Sequence, residues 1–223
     1  MPRPLISIIH SSARPAQWWD TCFQWFDLCD KPDEVEYCLC YEPGKGDYRL
    51  GSHPWKNFVS APTKGRPCLV DGWNTAAALS TGSLIVGIAD DLLPGPHWDA
   101  KLIEAMSPEI LGREAFIWPS TNSASDSEIC IHPILTRARY DRFGYWFYPG
   151  YWAVFCDNEN WDLARRDGVI YDVRDKVLLD HRHTTSNKRV GDSVDTGNLS
   201  RWGADEALYK RRKATGFPPL ERV

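Results

Sequence analysis

The sequence predicts an α/β fold in which a central, mostly parallel sheet is flanked by helices. In the first hundred residues, apolar runs of strand length alternate with segments whose apolar residues recur at helical spacing. The strand-like runs are almost continuously apolar, which is typical of strands buried on both faces of a parallel sheet. Such a sheet binds ligands outside the carboxyl ends of its strands, so the fold class also indicates where a functional site should lie.

The elements of the first half follow in a regular order. The run from Leu5 to His10 is β-branched and ends in a polar turn, and the segment from Gln17 to Cys29 has the apolar spacing of a helix. The strongest strand pattern, Ser83 to Ala89, leads directly into Asp90-Asp91. The predicted elements are a strand over residues 5–10, a helix over 17–29, strands over 34–41 and 58–60, a helix over 71–79 and a strand over 83–89.

The second half is less regular. Residues 140–152 are rich in aromatic residues and glycine, and the composition from Thr184 to Arg201 predicts a mobile loop. A final helix ends in the basic run Lys210–Lys213. The predicted elements are a helix over residues 97–106, strands over 116–118 and 129–135, a helix over 158–167, strands over 169–173 and 177–179, and a helix over 205–213.

Composition excludes several classes of protein. Of the 223 residues, 43% are hydrophobic and 25% are charged, which indicates a globular chain and not a disordered one. The net charge of -4 argues against a general polyanion binder. No apolar run is long enough to cross a bilayer, and the N-terminus lacks a signal-peptide pattern. The seven scattered cysteines show no metal or redox spacing, so we expect reduced thiols and a cytoplasmic location.

Polar residues follow three of the predicted strands. Ser12 and Arg14 come after the first strand, Glu42 follows the second, and the pair Asp90-Asp91 follows the strongest one. Because the carboxyl ends of parallel strands meet at one edge of a sheet, these groups should lie close together.

The paired aspartates point to a bound cation. Two adjacent carboxylates at the end of a buried strand repel each other, and desolvation penalises both charged forms. A divalent cation with oxygen ligands, such as Mg²⁺ or Mn²⁺, would stabilise Asp90 and Asp91 together. The alternative is a helix cap or turn, since aspartate favours both and Pro94 follows closely.

Two further groups of residues have the chemistry of a site. His181 and His183 are one residue apart after a predicted strand, so both can face the same side and ligate a metal; the alternative is a pair of exposed loop residues. Either Asp157 or Glu159 could deprotonate a hydroxyl group as a general base. The alternative for these two carboxylates is a favourable position in the first turn of a helix.

Several of these stretches resemble glycosyltransferase family 2. The resemblance covers roughly residues 4–185 and is most specific at residues 74–98, where a helix that begins Asn-x-Ala is followed by a strand that ends in an acidic motif before a proline. The stretch Asp157-x-Glu159 and the His181-x-His183 pair are similar to the later acidic motif and the metal-binding histidine of that family.

The resemblance implies a GT-A fold, a UDP-linked sugar donor, Mn²⁺ or Mg²⁺, and an inverting transferase of the hexosyltransferase type. It places Ser12, Arg14 and Glu42 near the nucleotide base and counts Asn74 among the donor-binding residues. One of Asp90 and Asp91 would face the ribose and the other the metal. Alignment on Pro94 favours Asp90 as the metal ligand, whereas the TDD-like variant of the motif favours Asp91, which we prefer. His183, with His181 beside it, would complete the metal site. Glu159 would be the base, with Asp157 as its substitute.

The organisation that follows is a single domain over residues 1–223. Residues 1–100 would form the nucleotide-sugar-binding half, 101–183 the acceptor-side half, and 184–223 a flexible loop with a C-terminal helix. The loop, with Lys188 and Arg189, could close over the diphosphate.

Three alternatives stay open at this point. The basic residues Lys188, Arg189 and Lys210–Lys213 could contact DNA phosphates in an enzyme that glycosylates a hydroxymethylated or otherwise modified pyrimidine. Ile88 and Leu92 replace acidic residues found in many relatives, which would suit a degenerate, non-catalytic binding or scaffold protein. A nucleotidyltransferase is the weakest alternative, because residues 11–14 are a poor phosphate loop. The sugar, the acceptor and the oligomeric state do not follow from the sequence.

Overall fold

The computed structural model describes residues 5–184 and 188–220 of the chain. Strands and helices alternate through the first hundred residues, as the apolar pattern predicts. The elements in chain order are β1 Ile6–Ser12, α1 Pro15–Asp27, β2 Val35–Tyr41, β3 Asn57–Pro62, α2 Leu69–Leu79, β4 Leu84–Ile88, β5 Leu92–Pro94, α3 Trp98–Ala105, α4 Pro108–Leu111, β6 Phe116–Trp118, β7 Ile134–Thr136, α5 Arg137–Phe143, α6 Cys156–Asp167, β8 Ile170–Asp172, β9 Leu179–His181, α7 Ser193–Leu199 and α8 Trp202–Ala214.

Seven strands form the central sheet in the order β3-β2-β1-β4-β7-β6-β8. Strands β3, β2, β1 and β4 are mutually parallel, β7 runs antiparallel to β4 and β6, and β8 is parallel to β6. The predicted α/β class with a mostly parallel sheet is therefore confirmed. The parallel half brings the carboxyl ends of β1, β2 and β4 to one edge.

Strands β5 and β9 form a separate antiparallel pair beyond the carboxyl end of β4. In this pair Leu92 lies opposite His181, and Pro94 lies opposite Leu179. The pairing fixes the chain after Asp90-Asp91 against the chain that carries the histidines. Two segments almost ninety residues apart in the sequence therefore become neighbours.

Both faces of the sheet are buried, which accounts for the unbroken apolar character of β4. Leu84, Val86 and Ile88 belong to the core on the side of α1 and α3, whereas Ile85 belongs to the core on the side of α2 and α6. On that second side Gly87 leaves room for the buried indole of Trp146. A larger residue at position 87 would remove this packing space.

Tertiary contacts change some of the predicted elements. The strand predicted over residues 129–135 is confined to Ile134–Thr136, because the chain then turns into α5, whose first turn is capped by the Thr136 side chain. The last strand is Leu179–His181 and not 177–179, since it is set by pairing with β5. The predicted loop 184–201 contains α7, and its residues 185–187 lie outside the described residues.

Within the described ranges, every helix is too short or too polar to cross a membrane.

Gly87→Ala should lower the free energy of unfolding by about 1–3 kcal/mol, because overpacking strains a close-packed core. A Cβ atom at position 87 would lie 2.6 Å from the indole Cζ2 of the buried Trp146. Gly203→Ala is the matched control, because this glycine lies in α8 and an added Cβ would have no neighbouring atom within 4 Å. Alanine at position 203 should raise the free energy of unfolding by about 0.5–1 kcal/mol. Urea denaturation of both variants measures the difference, and equal stability of the two would contradict the packing described for Trp146.

Candidate functional site

A cavity of about 650 Å³ opens at the carboxyl ends of β1, β2 and β4. Eight of the ten residues that the sequence nominates for the site line this cavity. They are Ser12, Arg14, Glu42, Asp90, Asp91, Asp157, His181 and His183. The fold rule that gathers polar strand ends at one edge thus accounts for most of the site.

The backbone of the Asp90-Asp91 turn is held from several sides. The carbonyl oxygens of Ile88, Asp90 and Leu92 accept hydrogen bonds from the side chains of Trp73, Thr21 and Trp25, respectively. The Asp91 carbonyl accepts a hydrogen bond of 2.7 Å from the backbone N–H of Arg182. Since the donors come from α1, α2 and the end of β9, the position of the turn depends on several elements and not on its own side chains.

The Asp90 side chain is buried beside His10 and Arg14. Its Oδ1 lies 3.0 Å from His10 Nε2, and the other nitrogen of that ring lies 2.6 Å from the hydroxyl of Tyr37. Its Oδ2 lies 3.6 Å from Arg14 Nη1. Sequence reasoning missed His10, because this residue has the pattern of the polar end of a strand.

Asp91 lies between a histidine and an arginine. Its Oδ1 is 3.6 Å from His181 Nε2, and its Oδ2 accepts hydrogen bonds from Arg189 at 2.9 and 3.2 Å. Burial alone would raise the pKa of Asp91, but hydrogen bonds and positive charge from His181 and Arg189 hold that pKa well below its ordinary value. Asp91 is therefore ionised across the neutral range.

Three imidazole rings lie in a row beside Asp91. The ring centroids of His181 and His183 are 5.1 Å apart, and those of His132 and His181 are 4.4 Å apart. Burial, with the charge of His181, lowers the pKa of His132 and of His183. His132 was missed by sequence reasoning because a single histidine in a polar stretch carries no spacing signal.

These donors fit a divalent cation in type, and their present arrangement is not a formed metal centre. Carboxylate and imidazole are the ligands that Mn²⁺ accepts in proteins. Within residues 5–184 and 188–220, no three side chains of His, Cys, Asp or Glu converge on one point as a metal would require. Arg189 holds Oδ2 of Asp91, so Oδ1, which faces His181, is the oxygen that a cation would use.

The segment after the histidines contains two aspartates, Asp192 and Asp195, that were not among the site residues expected from the sequence. Asp192 accepts hydrogen bonds from Arg14 at 2.6 and 3.0 Å, and Asp195 accepts from Arg14 at 2.8 Å and from Arg189 at 2.6 and 2.7 Å. We call Arg14, Arg189, Asp91, Asp192 and Asp195 the arginine–aspartate network. The network fixes α7 against the paired aspartates, where composition alone predicts a loop.

Asp157 and Glu159 point to opposite sides of α6. Two residues on a helix are rotated by about 200° relative to each other, so one side chain faces the cavity and the other faces away. Asp157 lines the cavity, and burial raises its pKa to about 6. Glu159 is only 2% exposed; it accepts hydrogen bonds from Arg212 at 2.7 and 2.8 Å and from the Tyr151 hydroxyl at 2.8 Å.

The structure thus separates Glu159 from the cavity, against the preference that the sequence analysis gave it as the base. Its carboxylate is fully used by Arg212 and Tyr151, which pins α8 to α6. The substitute, Asp157, is the carboxylate that faces the cavity.

Asn74 also lies outside the residues that line the cavity, against the expectation of donor binding. Its side-chain amide donates to the carbonyl of Phe147 at 2.8 Å, and its oxygen accepts from the backbone N–H groups of Trp146 and Phe147 at 2.8 and 3.1 Å. Asn74 therefore holds the aromatic segment that covers α2.

Ser12 and Glu42 line the cavity at the carboxyl ends of β1 and β2. The Ser12 hydroxyl accepts a hydrogen bond of 3.1 Å from the Arg14 backbone, and Glu42 lies 3.4 Å from the exposed Lys45. Across the cavity, Trp152, Phe155 and Trp202 supply aromatic surface. The cavity therefore has a polar side at β1 and β2 and an apolar side at α6 and α8.

Glu159→Gln should lower the free energy of unfolding by about 3–5 kcal/mol, because the Arg212 charge would stay buried without a counter-ion. Asp162→Asn is the matched control, since its partner Lys213 is mostly exposed and the loss should be below about 1 kcal/mol. Urea denaturation compares the two variants. A loss below about 1 kcal/mol for Glu159→Gln would contradict the buried pair.

Asp157→Asn should change how stability depends on pH. Burial raises the pKa of Asp157 from the ordinary 3.8 to about 6, so between these values the folded state holds a proton that the unfolded chain releases. The free energy of unfolding therefore falls as pH rises through this window. In Asp157→Asn the free energy of unfolding should not fall in this way, so the variant should be more stable than the wild type above pH 6. Below pH 3.8, the titration of Asp157 should cause no difference between the two proteins.

Denaturation at several pH values measures this difference. Asp175→Asn, which removes an exposed carboxylate, is the control and should follow the wild type at every pH. A difference for Asp157→Asn that does not vary with pH would show that the carboxyl group titrates normally.

Several solved structures resemble this chain at low sequence identity. Residues 1–349 of TarS from S. aureus give a TM-score of 0.61 at 11% identity, over 79% of this chain and 60% of that one. The mannosyltransferase PcManGT from Pyrobaculum calidifontis, solved with GDP-Man and Mn²⁺, gives 0.60 at 14% identity, over 80% and 57%. The glucosyl-3-phosphoglycerate synthase from Mycobacterium tuberculosis, solved with Mg²⁺ and UDP, gives 0.57 at 16% identity, over 96% and 80%.

The chain spans 60% or less of the length of the TarS and PcManGT chains. No protein-family model matches the sequence, and no curated protein matches it either. Similarity of this kind establishes the arrangement of strands and helices. The chain has the GT-A fold.

Proposed function

We propose that this protein is an inverting glycosyltransferase that moves a sugar from a nucleoside diphosphate to an acceptor hydroxyl, with a divalent cation at Asp91. One observation carries the proposal: a single cavity at the carboxyl edge of a GT-A sheet holds the paired aspartates, the two histidines and Asp157. These are the groups needed to hold a cation, a diphosphate and an attacking hydroxyl. We expect the donor to be UDP-linked.

The donor would lie on the polar side of the cavity. We place the nucleoside beside Ser12 and Glu42, at the ends of β1 and β2, and the ribose beside Asp90. Asp91, His181 and His183 would hold the cation, which neutralises the charge that develops on a diphosphate leaving group. The solved structures with GDP-Man and Mn²⁺, and with UDP and Mg²⁺, support a nucleotide donor and a divalent cation for this chain.

Asp157 is the general base in this proposal. It lines the cavity from the first turn of α6, on the opposite side from the Glu159–Arg212 pair. With a pKa of about 6, its carboxyl group is ionised at neutral pH and is still basic enough to accept a proton from a hydroxyl. Inversion would follow if the acceptor hydroxyl attacks from the side facing Asp157 while the diphosphate departs on the other side.

Two residues that depart from the family pattern lie in the core. Ile88 and Leu92 are fully buried in the sheet and in β5, respectively. The departures therefore leave the carboxylates that face the cavity in place, which favours an enzyme over a degenerate scaffold.

The seven cysteines are all unpaired, which supports a reducing compartment such as the cytoplasm.

The charges in the C-terminal part do not favour the DNA-modifying alternative. Most of the basic residues suggested for phosphate contact are engaged with carboxylates. The pairs are Lys188–Asp180, Lys210–Glu206, Arg212–Glu159 and Lys213–Asp162. A basic surface free for a DNA backbone does not arise from these residues.

Thermal unfolding with Mn²⁺ and either UDP or GDP tests the proposal. A nucleotide at a hundred times its Kd stabilises a protein by about 2.7 kcal/mol, which corresponds to roughly 5–10 °C for a domain of this size. Asp91→Asn should lose the part of the shift that depends on Mn²⁺. Asp175→Asn, with the same charge change outside the cavity, should keep it.

Turnover separates binding from catalysis. Asp157→Asn should bind nucleotide and Mn²⁺ as the wild type does and should lose sugar transfer and donor hydrolysis by at least about a hundredfold. If neither nucleotide shifts the wild-type unfolding temperature with Mn²⁺ present, the proposed donor class is wrong.

A further inference from the structure

The arginine–aspartate network lies where the proposed donor diphosphate would lie. Arg14, Arg189, Asp91 and Asp195 all line the cavity, and Arg14 also approaches Asp90. Asp195 is buried, and its Oδ1 accepts hydrogen bonds from both arginines, 2.8 Å from Arg14 Nη2 and 2.6 Å from Arg189 Nη2. The network is therefore part of the cavity wall and not a surface ion pair.

We propose that Arg14 and Arg189 are the diphosphate-binding residues, and that Asp192 and Asp195 occupy them in the absence of donor as an internal competitor. This inference rests on the proposed function, because it names residues that bind part of the same donor. It assigns Arg14 to the diphosphate and not to the nucleotide base.

The geometry of the two arginines suits phosphate oxygens. Arg14 holds both oxygens of Asp192 through Nε and Nη2, at 2.6 and 3.0 Å, and Arg189 holds Asp195 through two nitrogens. A planar guanidinium group binds carboxylate and phosphate in this same two-point manner. Asp195 lies between the two guanidinium groups and Asp192 pairs with Arg14, so the two carboxylates present two anionic groups to these arginines, as a diphosphate would.

The balance of charge argues for exchange and against simultaneous binding. Four carboxylates, those of Asp90, Asp91, Asp192 and Asp195, face two guanidinium groups in this corner. A diphosphate added to this arrangement would meet excess negative charge in a partly buried site, which is strongly unfavourable. Donor binding therefore requires that Asp192 and Asp195 leave the arginines.

Arg189 contacts both the proposed cation ligand, Asp91, and the internal competitor, Asp195. Its Nη2 donates to Oδ2 of Asp91 at 2.9 Å, and the other oxygen of that carboxylate, Oδ1, faces His181 at 3.6 Å. A cation held by Asp91 and His181 would weaken the attraction between Asp91 and Arg189, and a diphosphate in place of Asp195 would give Arg189 a new anionic partner. Cation and diphosphate together should release the network far better than either does alone.

The competing explanation is that Asp192 and Asp195 only cap α7. Asp192 accepts hydrogen bonds from the backbone N–H groups of Val194 and Asp195, and Asp195 accepts one from Asp192. Asparagine keeps an oxygen that can accept these backbone bonds while it removes the negative charge. Asp195→Asn therefore tests the charge of the network and leaves the cap acceptor in place.

Calorimetric titration with inorganic pyrophosphate, and separately with UDP, both in the presence of Mg²⁺, tests the inference. Asp195→Asn should bind either ligand about tenfold more tightly than the wild type. Glu206→Gln is the matched charge control: its carboxylate pairs with Lys210 on α8 outside the cavity, so its affinities should stay within twofold. Arg189→Gln and Arg14→Gln should each bind either ligand at least tenfold more weakly than the wild type.

The outcomes separate the two proposals. If Asp195→Asn binds pyrophosphate more tightly and UDP fails to bind, the network is supported and the UDP-linked donor is wrong. If UDP binds Asp195→Asn no more tightly than the wild type, the donor stands and internal competition is overturned. Should Asp195→Asn unfold at the assay temperature, Asp192→Asn gives the same two readouts, and unchanged affinity there overturns the inference.

Discussion

The site depends on one short pairing of strands. Three residues of β5 pair with three residues of β9, and this places His181 opposite Leu92, one position beyond the paired aspartates. Because the two strands are antiparallel, the chain that leaves Asp91 and the chain that arrives at His183 pass side by side. A shift of one residue in this register would turn the histidine side chains away from the carboxylates. The cavity lies at the edge of the central sheet, and the β5–β9 pair brings His181 beside Asp91.

The distribution of charge divides the C-terminal part into two regions with different roles. Glu159 and Arg212 form a buried, hydrogen-bonded pair that joins α8 to α6 away from the cavity. Arg14, Arg189, Asp91 and Asp195 line the cavity, and Asp192 pairs with Arg14. The first pair is enclosed. The second set is open to ligands, and its positive groups lie beside the proposed cation and donor sites.

Sequence reasoning predicted the sheet and most of the cavity because these follow from local patterns. Continuous apolar runs such as Ser83–Ala89 predict strands buried on both faces, and the polar residues after them then meet at one edge. The choice between Asp157 and Glu159 did not follow, because it depends on which side of α6 receives Arg212, fifty-three residues away. Helix α7 was missed for a similar reason: its Ser, Thr, Asn and Gly residues are typical of a loop, and its aspartates are held by Arg14 and Arg189.

The hydrogen bonds to the backbone of the Asp90-Asp91 turn have a consequence for protein engineering. The carbonyl groups of Ile88, Asp90, Asp91 and Leu92 are bound by donors from other elements, so the path of the main chain is independent of the carboxylate side chains. Such a turn can accept new side chains at positions 90 and 91 while its backbone stays in place. Exchange of the two aspartates for other coordinating or charged residues would then alter reactivity while the surrounding scaffold is retained.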